Sequence, residues 1–312
     1  MANWNIFDNS HGIHWAVSQS EMILRAHLLN WFWRPREERR VVRTSVTARC
    51  IDKYLDIYLP LIRAVEPDSA PADAEPERLW SIWLQGEESA PPLVKACWRS
   101  VRHNCPSHNL VVLDSDTVFD YITLPAEIKA KWRSGKISPA HFTDICRVEL
   151  LYEHGGIWLD ATDFVASDFP EWLWNEDFFL YLAGHINDYT FVQNCFIRAR
   201  KGNFLVKAWR ELMFAYWKEN SRHFHYFQHQ MMFKKIVENN DCAAALFAKM
   251  PKILQDPTHC LWWDYRDLPF DKDTFDAVTS RAMFQKTAYR YDSARNPLPG
   301  SFADEMINRM FL

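Results

Sequence analysis

Residues 141–164 read HFTDICRVELLYEHGGIWLDATDF, and the fold class follows from this stretch. Ile145, Val148 and Leu151 recur at helical spacing, so its first part is a helix with one apolar face on a core. Gly155 and Gly156 terminate that helix, because glycine adopts the left-handed backbone of a helix C-terminus without steric cost. Ile157–Leu159 is then a short buried strand, closed by Asp160. Helix, glycine turn, apolar strand and carboxylate, in that order, form one unit of an α/β sheet.

Toward the N-terminus the same alternation appears. Leu79–Leu84 is a short apolar run that reads as a strand. Pro91 and Pro92 open a helix through Val94, Cys97, Trp98 and Val101. Asn109–Leu113 is a second strand, and it ends in Asp114, Ser115 and Asp116. Strands alternating with helices imply a mostly parallel central sheet, and ligands of such sheets sit at the carboxyl ends of the strands. That rim gathers Trp83–Gly86, Asp114–Asp116 and Asp160–Asp163. Further back, Glu66–Glu77 carries Pro67, Pro71 and Pro76 among small and charged residues and reads as a linker. Before it, Ile51, Tyr54, Leu55, Tyr58 and Leu59 recur at helical spacing and Pro60 marks a stop. The expected organisation is an N-terminal helical segment over residues 1–65, a linker over 66–78 and an α/β domain over 79–312.

Composition narrows the function. The 312 residues are 48% apolar, enough to bury a core, and the net charge of -4 argues against a general nucleic-acid binder. With 15 Trp and 21 Phe the chain is rich in flat rings, which serve as core or stack on bases and sugars. Its seven cysteines include no CxxC pair, which reads as a reduced cytoplasmic protein and not as a disulfide framework or zinc site. No signal peptide or membrane span is evident. Met22–Arg43 combines Leu28, Leu29, Trp31, Phe32 and Trp33 with Arg34, Arg36, Arg39, Arg40 and Arg43. It reads either as an amphipathic helix packed on the domain or as a peripheral contact with an anionic membrane.

Several residue groups can carry chemistry. Asp144 and Arg147 are three apart on one helix face; they form a surface ion pair or grip sugar hydroxyls and a phosphate. Asp160, Thr162 and Asp163 cluster at the end of the strand. Clustered carboxylates cap a turn through backbone amides, or hold a hard divalent ion that binds phosphate oxygens. A strand that simply continued would point Asp163 to the face opposite Asp160. His229, within Tyr226–Phe233, reads as a core histidine or as a group reaching a phosphate or metal. His259 is similarly ambiguous, and Trp262, Trp263 and Tyr265 form an acceptor platform or core.

Taken together, SIWLQGEESAPPLVKACWRSV (81–101), HNLVVLDSD (108–116) and ISPAHFTDICRVELLYEHGGIWLDATDF (137–164) resemble the capsular polysaccharide synthesis family of bacterial glycosyltransferases. That family is similar in turn to the yeast-type initiating α-mannosyltransferases and the glucosylating clostridial toxins. A weaker match continues through QNCFIRARKGNFLVKAWRELMFAYWKEN (193–220) and YFQHQMMF (226–233). The resemblance implies a GT-A type nucleotide-sugar-binding domain and transfer of a sugar, with retention, from a UDP- or GDP-sugar to a glycan or lipid-linked glycan. Trp83 falls where relatives stack the base, Asp144 and Arg147 where they hold the donor sugar and its phosphate, and Asn194 in a segment like their loop under the reacting sugar. Asp160 is the first carboxylate of the DxD element. Thr162 stands at the second position, which weakens the implied Mn2+ or Mg2+ site; Asp160, Thr162, Asp163 and His229 are its candidate ligands. The implied setting is cytoplasmic, with peripheral contact at the cytoplasmic face of the inner membrane. Alternatives are a non-catalytic nucleotide-sugar binder of a capsule assembly complex and a metal-dependent hydrolase.

Overall fold

The computed structural model describes residues 12–32, 36–68, 78–185 and 190–311. Helices α1 (Gly12–Phe32), α2 (Arg36–Tyr54) and α3 (Leu59–Ala64) precede strand β1 (Arg78–Ile82). Then follow α4 (Pro92–Asn104), β2 (Asn109–Leu113), α5 (Ala126–Arg133), α6 (Pro139–His154), β3 (Gly156–Leu159), β4 (Asp163–Phe164), α7 (Glu171–Asn175), β5 (Phe178–Leu182) and β6 (Val192–Ala199). The C-terminal part carries α8 (Phe204–Glu219), α9 (Gln228–Asn239), α10 (Asp241–Lys249), α11 (Lys272–Thr279), β7 (Gln285–Lys286), α12 (Asp292–Arg295) and α13 (Phe302–Asn308). Residues 69–77, most of the expected linker, lie outside the described residues, as do the side chains of residues 29–43 that carry most of the aromatic and basic cluster.

The α/β class holds, and the arrangement is consistent with a GT-A type domain. The central sheet is mixed, however, and not mostly parallel. Its order is β2-β1-β3-β6-β5. β1 runs parallel to both neighbours, pairing Trp80 with Val111 and with Trp158. β6 then runs antiparallel to β3 and to β5, pairing Trp158 with Ile197 and Phe179 with Arg198. For β5 and β6 the reason is chain length. Only residues 183–191 separate β5 from β6, too few for the crossover that a parallel pair requires.

Gly155 and Gly156 do what the sequence demanded of them. Gly155 follows α6 at φ +68°, and Gly156 enters β3 at φ +103°. A Cβ on Gly156 would stand 2.3 Å from the carbonyl oxygen of Arg78, in the neighbouring strand. The freed carbonyl of Gly155 accepts a hydrogen bond from Trp80 Nε1 at 2.8 Å. The main core surrounds this junction with Trp80, Phe142, Ile145, Leu151, Ile157 and Trp158. Ile51, Tyr54, Leu55, Tyr58 and Ile62, from the N-terminal helices, are buried in the same core. Tyr54 donates to the Asn220 amide oxygen at 3.1 Å, and that amide donates to Tyr58 at 3.0 Å.

After β3 the chain leaves the sheet. Asp163 N–H donates to the Asp160 carbonyl at 2.9 Å, which closes a turn over residues 160–163. β4 then pairs antiparallel with β7, in the register Asp163 opposite Lys286. This turn overturns the expectation that Asp163 faces away from Asp160, since alternation applies only along an extended strand.

Candidate functional site

The carboxyl end of β3 gathers a buried network of charge. Arg147, on α6, is 5% exposed. Its Nη2 donates to Asp160 Oδ1 at 2.9 Å, and its Nη1 makes an ion pair with Asp144 Oδ1 at 3.0 Å. Asp160 Oδ1 also accepts from Trp158 Nε1 at 2.9 Å. Arg147 Nε is buried without a hydrogen-bond acceptor among the described residues, an arrangement that invites an anionic ligand. The guanidinium lies over the Trp158 ring, 4.8 Å from its centroid. Burial works against the guanidinium charge, but Asp160 and Asp144 raise its pKa and keep it ionised.

Asp144 is the hub on the other side. Asn194 Nδ2 donates to its Oδ1 at 3.0 Å, and His229 Nδ1 meets its Oδ2 at 2.6 Å. Burial raises the Asp144 pKa, but His229 and Arg147 outweigh it and hold the carboxyl well below the usual carboxylate range. Trp217 Nε1 donates to His229 Nε2 at 3.3 Å. With that nitrogen accepting, Nδ1 carries the proton and gives it to the Asp144 hydrogen bond. Asn194 lies on strand β6 and not on a loop; its amide oxygen accepts from Gln230 Nε2 at 3.0 Å.

Lys286 completes the centre, and sequence reasoning missed it. Its Nζ donates to Asp160 Oδ2 at 2.7 Å and to Asp163 Oδ1 at 3.1 Å. It lies 126 residues from Asp160 in a short polar run, so no periodicity or spacing marks it. Burial works against its charge, but Asp160 and Asp163 push its pKa up. Burial also raises Asp163, against the pull of Lys286 and with Asp160 adding to the rise, to about 7. Burial likewise opposes the charge of Asp160, yet Lys286 and Arg147 keep its pKa below the usual value.

The structure therefore brings Asp144, Arg147, Asp160, Asp163, Asn194 and His229 into one connected network. Thr162 contributes its carbonyl, which accepts from the Thr287 N–H at 2.8 Å and hydroxyl at 2.9 Å. Trp83 is half-buried beside this centre, edge-on to Tyr289 at 5.2 Å. It shares a small apolar patch with Ala161, the neighbour of Asp160. Trp262 is fully buried, whereas Trp263 is partly exposed and lies edge-on to Tyr291. His259 sits against Thr258 at 2.8 Å, and burial with Lys286 lowers its pKa to about 4.

Two groupings bear on a metal ion. His141, Asp144 and His229 each offer one ligand atom within 4.8 Å of the others, and these three could hold a metal. His141 is 1% exposed; its Nδ1 stands 3.5 Å from Asp144 Oδ2, and its Nε2 has no hydrogen-bond partner among the described residues. The grouping read from the sequence does not assemble. His229 faces Asp144, the Thr162 carbonyl is engaged, and the carboxylate oxygens of Asp160 and Asp163 are all bonded to protein donors. Those donors are Arg147, Trp158, Lys286 and, for Asp163 Oδ2, the Asp160 N–H at 3.1 Å.

A family model described as capsular polysaccharide synthesis protein matches residues 29–306. Among curated proteins, the chain is similar to the glycosyltransferase afumC of Aspergillus fumigatus, with 25% identity over 46% of this chain and 41% of that protein. It is also similar to the O-glycosyltransferase braB of Annulohypoxylon truncatum, with 26% identity over 45% of this chain and 38% of that protein. The O-glycosyltransferase PaGT of Phomopsis amygdali is 24% identical over 52% of this chain and 43% of its own length. The chain thus spans about two fifths of these fungal relatives. No solved structure matches it.

Proposed function

This chain belongs to the capsular polysaccharide synthesis family, and on that premise we propose that it is a glycosyltransferase moving a sugar from a nucleotide-sugar to a glycan acceptor. The observation that carries the reading is Arg147. A buried guanidinium, clamped between two carboxylates at the carboxyl end of a sheet strand and with its Nε unmatched among the described residues, suits a donor phosphate. In this reading Arg147 binds the diphosphate, and Asp160 fixes the angle of the guanidinium. Asp144, steered by Asn194 and His229, accepts hydrogen bonds from the donor sugar. Trp83 stacks on the base, an interaction worth about 1–3 kcal/mol.

The reaction we propose retains the anomeric configuration. The acceptor oxygen attacks on the face from which the nucleoside diphosphate departs, and a leaving phosphate oxygen takes the acceptor proton. The protein's part is positioning and charge stabilisation. A lipid-linked acceptor at a membrane surface accords with the aromatic and basic sequence of Met22–Arg43. No described helix is long and apolar enough to cross a membrane.

Thermal unfolding against a panel of UDP-, GDP- and CMP-sugars tests the reading, since a ligand of the folded state raises the midpoint. One nucleotide-sugar is expected to stabilise the wild type and to leave Arg147→Gln unmoved. Stabilisation by no member of the panel would overturn the assignment, and an inverted product would overturn retention alone.

A further inference from the structure

The charge centre already contains a cation at the place where a DxD element would carry a metal. Lys286 bridges Asp160 and Asp163 at 2.7 and 3.1 Å, and it is delivered there by backbone pairing of β4 with β7 and not by a long flexible reach. Arg147 and Trp158 take the other Asp160 oxygen, and the Asp160 N–H takes the other Asp163 oxygen. A divalent ion bound to this carboxylate pair would have to expel the ammonium or sit against it.

We propose that Lys286 substitutes for the divalent ion, so that its ammonium and the Arg147 guanidinium together neutralise the donor diphosphate. The role in catalysis rests on the glycosyltransferase reading above; the replacement of the metal does not. The proposal also gives Thr162 a reason. Three carboxylates, Asp144, Asp160 and Asp163, already stand against two fixed cations, Arg147 and Lys286, with His229 beside them. A lysine carries one charge where the ion carries two, and dropping one carboxylate from the DxD element keeps the centre near neutrality. The side chains of Lys286 and Asp160 are 19% and 27% exposed, so the pair lies at the edge of the buried network and not deep inside it.

Manganese alone is the first probe, followed by the paramagnetic signal of the free ion. The wild type is expected to show no manganese binding that Asp160→Asn removes. Lys286→Ala vacates the carboxylate pair and should bind manganese at least about tenfold more tightly than the wild type. Lys286→Ala combined with Asp160→Asn should lose that gain, and Lys286→Arg should never acquire it. Manganese held by the histidine group is recognised separately, because His141→Ala removes it. A wild-type site lost in Asp160→Asn overturns the proposal, and this comparison stands even if Lys286→Ala does not fold.

Turnover of a nucleotide-sugar is the second readout. Wild-type transfer is expected to persist in EDTA, whereas Lys286→Ala should lose transfer in EDTA and recover part of it with manganese. Wild-type transfer that vanishes in EDTA and returns with manganese overturns the lysine's role while leaving the transferase reading intact. Absence of any nucleotide-sugar binding removes the transferase reading and the diphosphate role together, and the manganese titration then decides the replacement of the metal.

Discussion

At the scale of single residues, the site is held by mutual constraint among ionisable groups. Asp144 fixes Arg147, and His229 and Asn194 fix Asp144. Around them lie histidines that the fold keeps neutral. Burial lowers the pKa of His141, and burial with neighbouring histidines lowers that of His225 to about 4. His259 is lowered to about 4 by burial and Lys286. The sign follows from linkage. A histidine whose folded pKa is depressed binds its proton more readily in the unfolded chain. These residues therefore contribute fully above the ordinary histidine pKa of about 6.5, and they penalise the fold as pH falls from there toward 4. Urea midpoints are expected to drop between pH 7 and pH 5, and a His225→Gln, His259→Gln variant should show a shallower drop. An equal slope in both proteins would refute this.

At the scale of elements, the junction of α6 with β3 decides where the charge network sits. It aims Arg147 and Asp160 at each other across thirteen residues of sequence. The close approach of β3 to β1 at Gly156 permits no side chain. Gly156→Ala is expected to cost several kcal/mol, because a left-handed alanine alone costs about 1–2 kcal/mol and the Cβ also strikes backbone. Gly135 has φ +70° with open space around it, so Gly135→Ala should show only the first term, about 1–2 kcal/mol. Chemical denaturation of the two variants side by side separates the strain from the clash; equal losses would mean the strands simply move apart.

At the scale of the whole molecule, the N-terminal helices supply Ile51, Tyr54, Leu55, Tyr58 and Ile62 to the core that backs the sheet. Each such buried side chain contributes about 1.5–3 kcal/mol. Their sum is comparable to the whole stability of an ordinary domain, about 5–15 kcal/mol. A chain beginning at residue 66 is therefore expected to lose cooperative unfolding and near-ultraviolet dichroism. A sharp, native-like transition in that truncated protein would show that the sheet and its C-terminal helices suffice.

The sequence alone determined the local parts of this protein. Periodicity in residues 141–164 located α6 and β3, and the glycine pair located the turn between them, because those features are set by backbone sterics and by neighbours three or four residues away. It also picked out Asp144, Arg147 and Asp160, which lie on two elements adjacent in the chain. Only the tertiary structure decided the rest. The antiparallel half of the sheet, the turn that swings Asp163 back toward Asp160, and the arrival of Lys286 on β7 all depend on which distant strands pair. That pairing is chosen by burial of the whole core and leaves no periodic mark on a lysine 126 residues away.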